Sequence, residues 1–253
     1  MQDNLDQSEL QQFSSISDKW RDEKGPFAPL HAMNPVRLEY ITSQIFQHFG
    51  LDERQAQDRK KFDKGRLSPH KILDVACGGG LVCEPLTRLG ANVTGVDADQ
   101  QAITVAQNHA ELEKLDITYE VATAEDYLQT TTDKFDVVLG LEIIGHIPSP
   151  ESFVSTLMGL AAPNWLIIFS TLNRTAKSCI LAKIGAEYIL NWLPRGTHDW
   201  RKFVKPSELA SLIRKSGGIP LQLKGISYNP FNREFSLSDD KLDMNYIMTA
   251  TRK

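Results

Sequence analysis

The residues best suited to chemistry begin at a glycine-rich turn, Asp74-Val75-Ala76-Cys77-Gly78-Gly79-Gly80. Glycine has no Cβ, so a turn of this kind lets backbone N–H groups approach a ligand at the start of a helix. Dinucleotide enzymes use a related device, but theirs reads G-x-G-x-x-G. Here Ala76 and Cys77 precede three consecutive glycines, and Asp74 sets a carboxylate where a pyrophosphate would be repelled. A cationic or zwitterionic ligand suits the turn better. Asp97, followed by Ala98, ends the next β-rich run and is placed to accept both hydroxyls of a ribose. After the third such run, Thr123-Ala124-Glu125-Asp126 offers an acid beside a small residue, suited to an adenine edge. Any one of these acids is as easily a helix cap or a solubilising charge. Three at successive strand ends are far less easily a coincidence, and together they select S-adenosylmethionine over NAD.

Such residues converge only if a scaffold holds successive strand ends in line. From Ser68 onward, short β-branched runs alternate with helical stretches, the signature of βαβ units in an α/β, Rossmann-like fold with a mainly parallel sheet. Strands are predicted at Lys71 to Val75, Asn92 to Asp97, Ile117 to Val121, Phe135 to Leu141 and Leu166 to Ser170. Apolar and polar residues alternate over Leu221 to Tyr228 and Met244 to Thr251, as in edge strands and as an antiparallel pair would. A seven-stranded sheet ending this way resembles that of class I methyltransferases. Ahead of them, Ser8 to Phe49 predicts two helices around the turn-rich Lys24-Gly25-Pro26-Phe27-Ala28-Pro29, placed to lid the cofactor site. Asp52 to Ser68 is a polar stretch that reads as a solvated linker. The chain thus divides into an N-terminal helical region with its linker, 1–67, and one methyltransferase domain, 68–253, with an insertion at about 174–203.

Composition narrows the partners. A length of 253 residues, 41% hydrophobic, suits one globular unit with a substantial core. The formal net charge of -4 argues against broad binding to nucleic acid, which favours a basic face. Cys77, Cys83 and Cys179 form no C-x-x-C pair and read as reduced thiols without a zinc or redox role. No apolar run reaches the roughly 18 residues of a spanning helix, and no hydrophobic leader follows Met1. Asp3, Asp6 and Glu9, without arginine, are unlike a mitochondrial targeting peptide.

Several segments outside the cofactor signature resemble the ubiquinone-biosynthesis O-methyltransferases, from about Trp20 to Tyr246. They are Gly25-Pro26-Phe27-Ala28-Pro29-Leu30-His31-Ala32-Met33-Asn34-Pro35-Val36-Arg37, Ser170-Thr171-Leu172-Asn173-Arg174-Thr175, Ala186-Glu187-Tyr188-Ile189-Leu190, and Pro194-Arg195-Gly196-Thr197-His198-Asp199-Trp200. The resemblance implies Arg37 as ligand of the cofactor carboxylate, Ala76, Gly78 and Gly80 in the glycine turn, Asp97 on the ribose and Leu141 lining the cofactor. It implies methyl transfer to polyprenyl dihydroxybenzoate and demethylubiquinol hydroxyls, at a membrane surface and beside other ubiquinone-biosynthesis proteins. A eukaryotic member would lie on the matrix side of the mitochondrial inner membrane, its transit peptide outside this chain. A bacterial one would be cytoplasmic or membrane-associated. The long stretch before Asp74 is similar to the eukaryotic arrangement.

The family also implies a divalent metal, with magnesium the expected ion, on the motif E-x-x-E-H. This chain reads Glu142-Ile143-Ile144-Gly145-His146, so Gly145 stands where the middle acid is expected. Loss of one oxygen ligand should weaken the site, leaving Glu142, His146, water and substrate oxygens. A phenol with a pKa near about 10 becomes nucleophilic through a metal or a base, and Glu142 and His146 suit either role. His198 and Asp199 form a second polar pair. Within the insertion, Ile184, Tyr188 and Trp192 belong to a broad apolar arc, either a core helix or a wall for a polyprenyl tail or membrane surface. Two other classes fit the same fold: an NAD-dependent oxidoreductase, disfavoured by the missing G-x-G-x-x-G, and a non-catalytic scaffold of a biosynthetic complex, for which Gly145 speaks.

Overall fold

Alternating burial along each central strand decides the architecture. In β1 (Lys71–Val75), Ile72 packs into one hydrophobic cluster while Leu73 and Val75 pack into another, so both faces of the sheet are covered. The computed structural model describes residues 4–51, 65–180, 200–229, 232 and 234–252. Its described strands form one sheet of eight, in the order β3 (Thr118–Val121), β2 (Asn92–Asp97), β1, β4 (Phe135–Leu141), β5 (Ala161–Leu172), β8 (Asn245–Arg252), β6 (Gly218–Asn229), β7 (Glu234–Ser238). The first five run parallel, and β8, β6 and β7 are joined to them and to each other antiparallel. Strand order reverses at β1, flanked by β2 and β4, and a crevice beyond the carboxyl ends at such a switch point is where α/β sheets bind ligands.

Sequence and structure agree closely in the centre and differ at the edge. The predicted bounds of the first, second and fourth strands match β1, β2 and β4. β5 extends beyond the expected Leu166 to Ser170 at both ends, because its apolar middle pairs with β4 on one side and β8 on the other. The eighth strand, β7, was not expected. Its Glu-Phe-Ser-Leu-Ser alternation turns Phe235 and Leu237 toward the core that α2 covers.

The expected N-terminal helices are α1 (Gln7–Ser14) and α2 (Ala28–Phe49), with a 3-10 turn at Ser17–Lys19 between them. In α2, Met33, Arg37, Tyr40, Ile41, Gln44 and Ile45 are buried at helical spacing, one stripe laid against the sheet. Fully burying such an aliphatic side chain contributes roughly 1.5–3 kcal/mol. Arg37 sits within this stripe, so packing fixes its aim. Around the sheet follow α3 (Cys83–Arg88), α4 (Gln100–Leu112), α5 (Ala124–Thr130), α6 (Pro150–Leu160), the short α7 (Ala176–Ile180) and α8 (Pro206–Lys215). Ile184, Tyr188, Trp192 and His198, expected at the acceptor or membrane, lie outside the described residues, as does most of the linker. Cys77 and Cys83 are buried free thiols, and burial pushes Cys77 up to about 11.

Candidate active site

A cavity of about 1170 Å³ opens at the carboxyl ends of β1, β2 and β4. It gathers ten of the residues singled out from sequence: Arg37, Asp74, Ala76, Asp97, Ala98, Glu125, Leu141, Glu142, Gly145 and His146. Gly78 and Gly80 are not in its lining. Gly78 takes a positive φ of 52° and donates its N–H to Asp97 Oδ2 at 2.8 Å. A Cβ on Gly78 would strike the Trp20 indole, and one on Gly79 would stand 2.5 Å from Trp20 Cβ. The room that glycine leaves here is occupied by Trp20 of the N-terminal segment. Gly80 makes room for Tyr119 in the same way. Ala76, at φ 59°, is the residue of the turn whose strained backbone faces the cavity.

The cofactor end is organised around buried charge. Arg37 is 4% exposed, its Nη2 donates to Asn34 Oδ1 at 3.0 Å, and its Nε has no partner. Burial disfavours its charge, and the fields of Glu142 and Asp74 partly restore it. A buried guanidinium with an orphaned N–H beside a cavity is what a ligand carboxylate satisfies. Asp97 is held rigid by two amides, Gly78 N–H on one oxygen and Asp99 N–H on the other at 2.8 Å, which leaves one lone pair on each oxygen for a ribose diol. Burial pushes Asp97 up to about 6 despite these bonds. Burial likewise pushes Asp74 up to about 7, opposed by the Cys83 thiol donating at 3.3 Å and by Arg37. A cationic ligand would bring its carboxylate form back. Glu125 Oε1 accepts from Asn4 Nδ2 at 2.8 Å, whereas Asp126 is taken up in capping α5 with Thr123. This donor set fits S-adenosylmethionine: Arg37 for its carboxylate, Asp97 for its ribose and Glu125 for its adenine.

At the other end, the metal ligands implied by the family are not assembled. Glu142, at φ 58°, turns its carboxylate to Ser170 Oγ at 2.6 Å and Asn245 Nδ2 at 2.9 Å, toward β5 and β8. His146 turns to α1, where its Nδ1 meets Glu9 Oε2 at 2.5 Å and its ring stands edge-on to Phe13. Gly145 supplies no donor. Among the described residues, no three His, Cys, Asp or Glu side chains are grouped to hold a metal. The residues present thus do not fit the expected ion.

What the sequence reading missed at this end comes from far away in the chain. Glu9 is 137 residues from His146, and its other oxygen accepts from Lys202, which also donates to Asp6 Oδ2 at 3.1 Å. Burial raises the Glu9 pKa, but His146 and Lys202 outweigh it, and the carboxylate is held below its usual range. Asp99, the N-cap of α4, accepts from Ser14 at 3.1 Å and from Ser17, pinning the arm that carries Glu9. Trp20 stacks on Phe27 with ring centroids 3.8 Å apart, and Arg21 donates to Gly79 O at 2.5 Å and to the buried Glu84. No local pattern announces this pairing: Asp6 and Glu9 read as charges at the start of a short helix and Lys202 as one on a turn. Apolar Phe13, Phe27, Leu30, Met33, Ile226 and Phe235 complete the walls.

Comparison with known proteins adds four findings. A family model described as a methyltransferase domain matches residues 46–218. Ubiquinone biosynthesis O-methyltransferase of Dinoroseobacter shibae is 43% identical over 248 residues, covering 98% of this chain and 96% of that protein. The protein of the same name from Caulobacter is 44% identical over 252 residues, covering 98% and 95%. In fold, the chain is similar to magnesium protoporphyrin IX methyltransferase of Synechocystis with bound S-adenosylhomocysteine, with a TM-score of 0.62 at 18% identity over 96% of this chain and 98% of that one.

Proposed function

The chain belongs to the ubiquinone biosynthesis O-methyltransferases, which use S-adenosylmethionine, and from that premise we propose that its acceptor is a polyprenylated catechol or quinol. One observation carries this: a single cavity joins the Arg37 and Asp97 end, suited to the cofactor, to a His146 end with apolar walls. When bound, the cofactor supplies an electrophilic methyl group on a sulfonium.

The chain's own residues do the rest. Arg37 and Asp97 orient the donor, and the apolar walls take the first prenyl unit of the acceptor. Because a carboxylate only accepts, the Glu9 contact fixes the proton of His146 on Nδ1 and leaves Nε2 as its basic atom. Nε2 takes the phenolic proton, and the resulting imidazolium faces a cluster in which Asp6 and Glu9 exceed Lys202 by one negative charge. Glu142 holds the ends of β5 and β8 and shares the field of Arg37. Access to a membrane-borne tail by the apolar arc around Ile184, Tyr188 and Trp192 is part of this proposal. No helix among the described residues is long and apolar enough to cross a membrane.

The test is turnover of a short-tailed catechol, followed as S-adenosylhomocysteine release and product mass. The wild-type chain should methylate it, and His146→Ala should lose roughly 100-fold or more in kcat with cofactor affinity unchanged. Thermal stabilisation by S-adenosylhomocysteine with no turnover of any catechol would point to a scaffold instead.

A further inference from the structure

We propose that this chain transfers its methyl group without a divalent metal, because the Lys202 ammonium, clamped between Asp6 and Glu9, occupies the carboxylates that would draw the ion to His146. The inference rests on the acceptor reading above.

Three observations converge on it. Gly145 removes a donor from the family's metal motif, and the room is real: a Cβ there would meet Lys202 O and Thr171 Oγ1 at an ordinary 3.5 Å. A Cβ therefore meets no clash there; its place is lined by the turn that carries Lys202. Next, the carboxylate beside His146 comes from α1 and is already bonded to an ammonium. A second carboxylate, Asp6, completes the pairing at 3.1 Å. An ammonium held by two carboxylates satisfies them with one positive charge, where a dication would need to displace it and shed its own water. Finally, Glu142 is committed elsewhere, to Ser170 and Asn245. Lys202 and Glu9 are on this account positioning residues: they act through His146, fixing its ring, and bring the N-terminal arm down over the acceptor end.

The test uses the full-length protein with S-adenosylhomocysteine for binding and the short-tailed catechol for turnover. Mn²⁺ titration followed by electron paramagnetic resonance should show no stoichiometric binding in the micromolar range, and chelator should leave turnover unchanged. Lys202→Met should lower kcat roughly tenfold or more with KM for the cofactor unmoved. It should also admit Mn²⁺ binding at the released Glu9 and the His146 it touches, which Glu9→Gln added to it should abolish. Lys202→Arg keeps the charge and should recover part of kcat without binding Mn²⁺. Micromolar Mn²⁺ binding by the wild type, turnover that dies with chelator, or full metal-independent turnover by a folded Lys202→Met protein would overturn the proposal. Absence of methyl transfer under every condition would instead refute the acceptor reading.

Discussion

The two ends of the cavity are built in opposite ways. The cofactor end uses residues at or just past consecutive strand ends: Asp74 within β1 and Ala76 just after it, Asp97 closing β2 and held by two backbone amides, and Glu125 following β3. The acceptor end is assembled across the chain, with Asp6 and Lys202 meeting over 196 residues and Glu9 and Lys202 over 193. Strand ends supply most of the first end, with Arg37 added from α2, whereas the second is formed by the N-terminal arm docking against the turn that carries Lys202. One half is fold-intrinsic and the other depends on a clasp.

The largest expected effect breaks the cofactor end without touching the clasp. Arg37→Met should weaken S-adenosylhomocysteine by roughly 30-fold or more, the loss from removing one partner of a buried charged pair, as read by calorimetric titration. Stability of the ligand-free protein should not fall, because the guanidinium it removes is buried without a carboxylate of its own. Equal losses in affinity and stability would make Arg37 a structural residue.

A second expectation concerns pH. Burial pushes Asp74 up to about 7 and Asp97 up to about 6, so the native state holds protons that the unfolded chain has released. Stability from these groups is present at low pH and is lost as pH rises through 6 to 7. Denaturant unfolding of the ligand-free protein should therefore show falling stability from pH 5 to pH 8, and Asp74→Asn should flatten that slope. A slope unchanged in Asp74→Asn would place the effect elsewhere. Cofactor affinity should rise over the same range, since both acids bind it best ionised.

The clasp responds to a smaller change. Ser17→Ala removes a bond to Asp99 and should cost about 1–2 kcal/mol of stability. It should lower kcat more than it weakens cofactor binding, because the arm carries Glu9. Smallest of all, Lys71→Met breaks an exposed ion pair with Asp133 and should stay within about 0.5 kcal/mol.

The same contrast explains what the sequence made legible. Strands β1, β2 and β4 are short runs bounded by polar turns, and the acids at the ends of β1 and β2 and after β3 are spaced by the strands themselves, so Asp74, Asp97 and Glu125 fall into one cavity. Arg37 was reached by resemblance, yet its place in the apolar stripe of α2 is a physical signal available without one. β7 carries a weak signal, because five residues with two apolar side chains make a short period. Glu9, Asp6 and Lys202 left no local trace at all: each reads as a solvated charge on a helix or turn, and only the tertiary fold brings them to His146. Gly145 flagged the departure at the acceptor end, and the geometry shows an ammonium and a carboxylate from elsewhere in its neighbourhood.

The most direct measurement is the fate of a ¹³C-labelled methyl group of S-adenosylmethionine given to the full-length chain with a short-tailed catechol. The account predicts the label on a ring oxygen, located by its one-bond and three-bond carbon couplings, with one S-adenosylhomocysteine formed per product. Label on carbon or nitrogen, or tight S-adenosylhomocysteine binding with no label transferred, would contradict it.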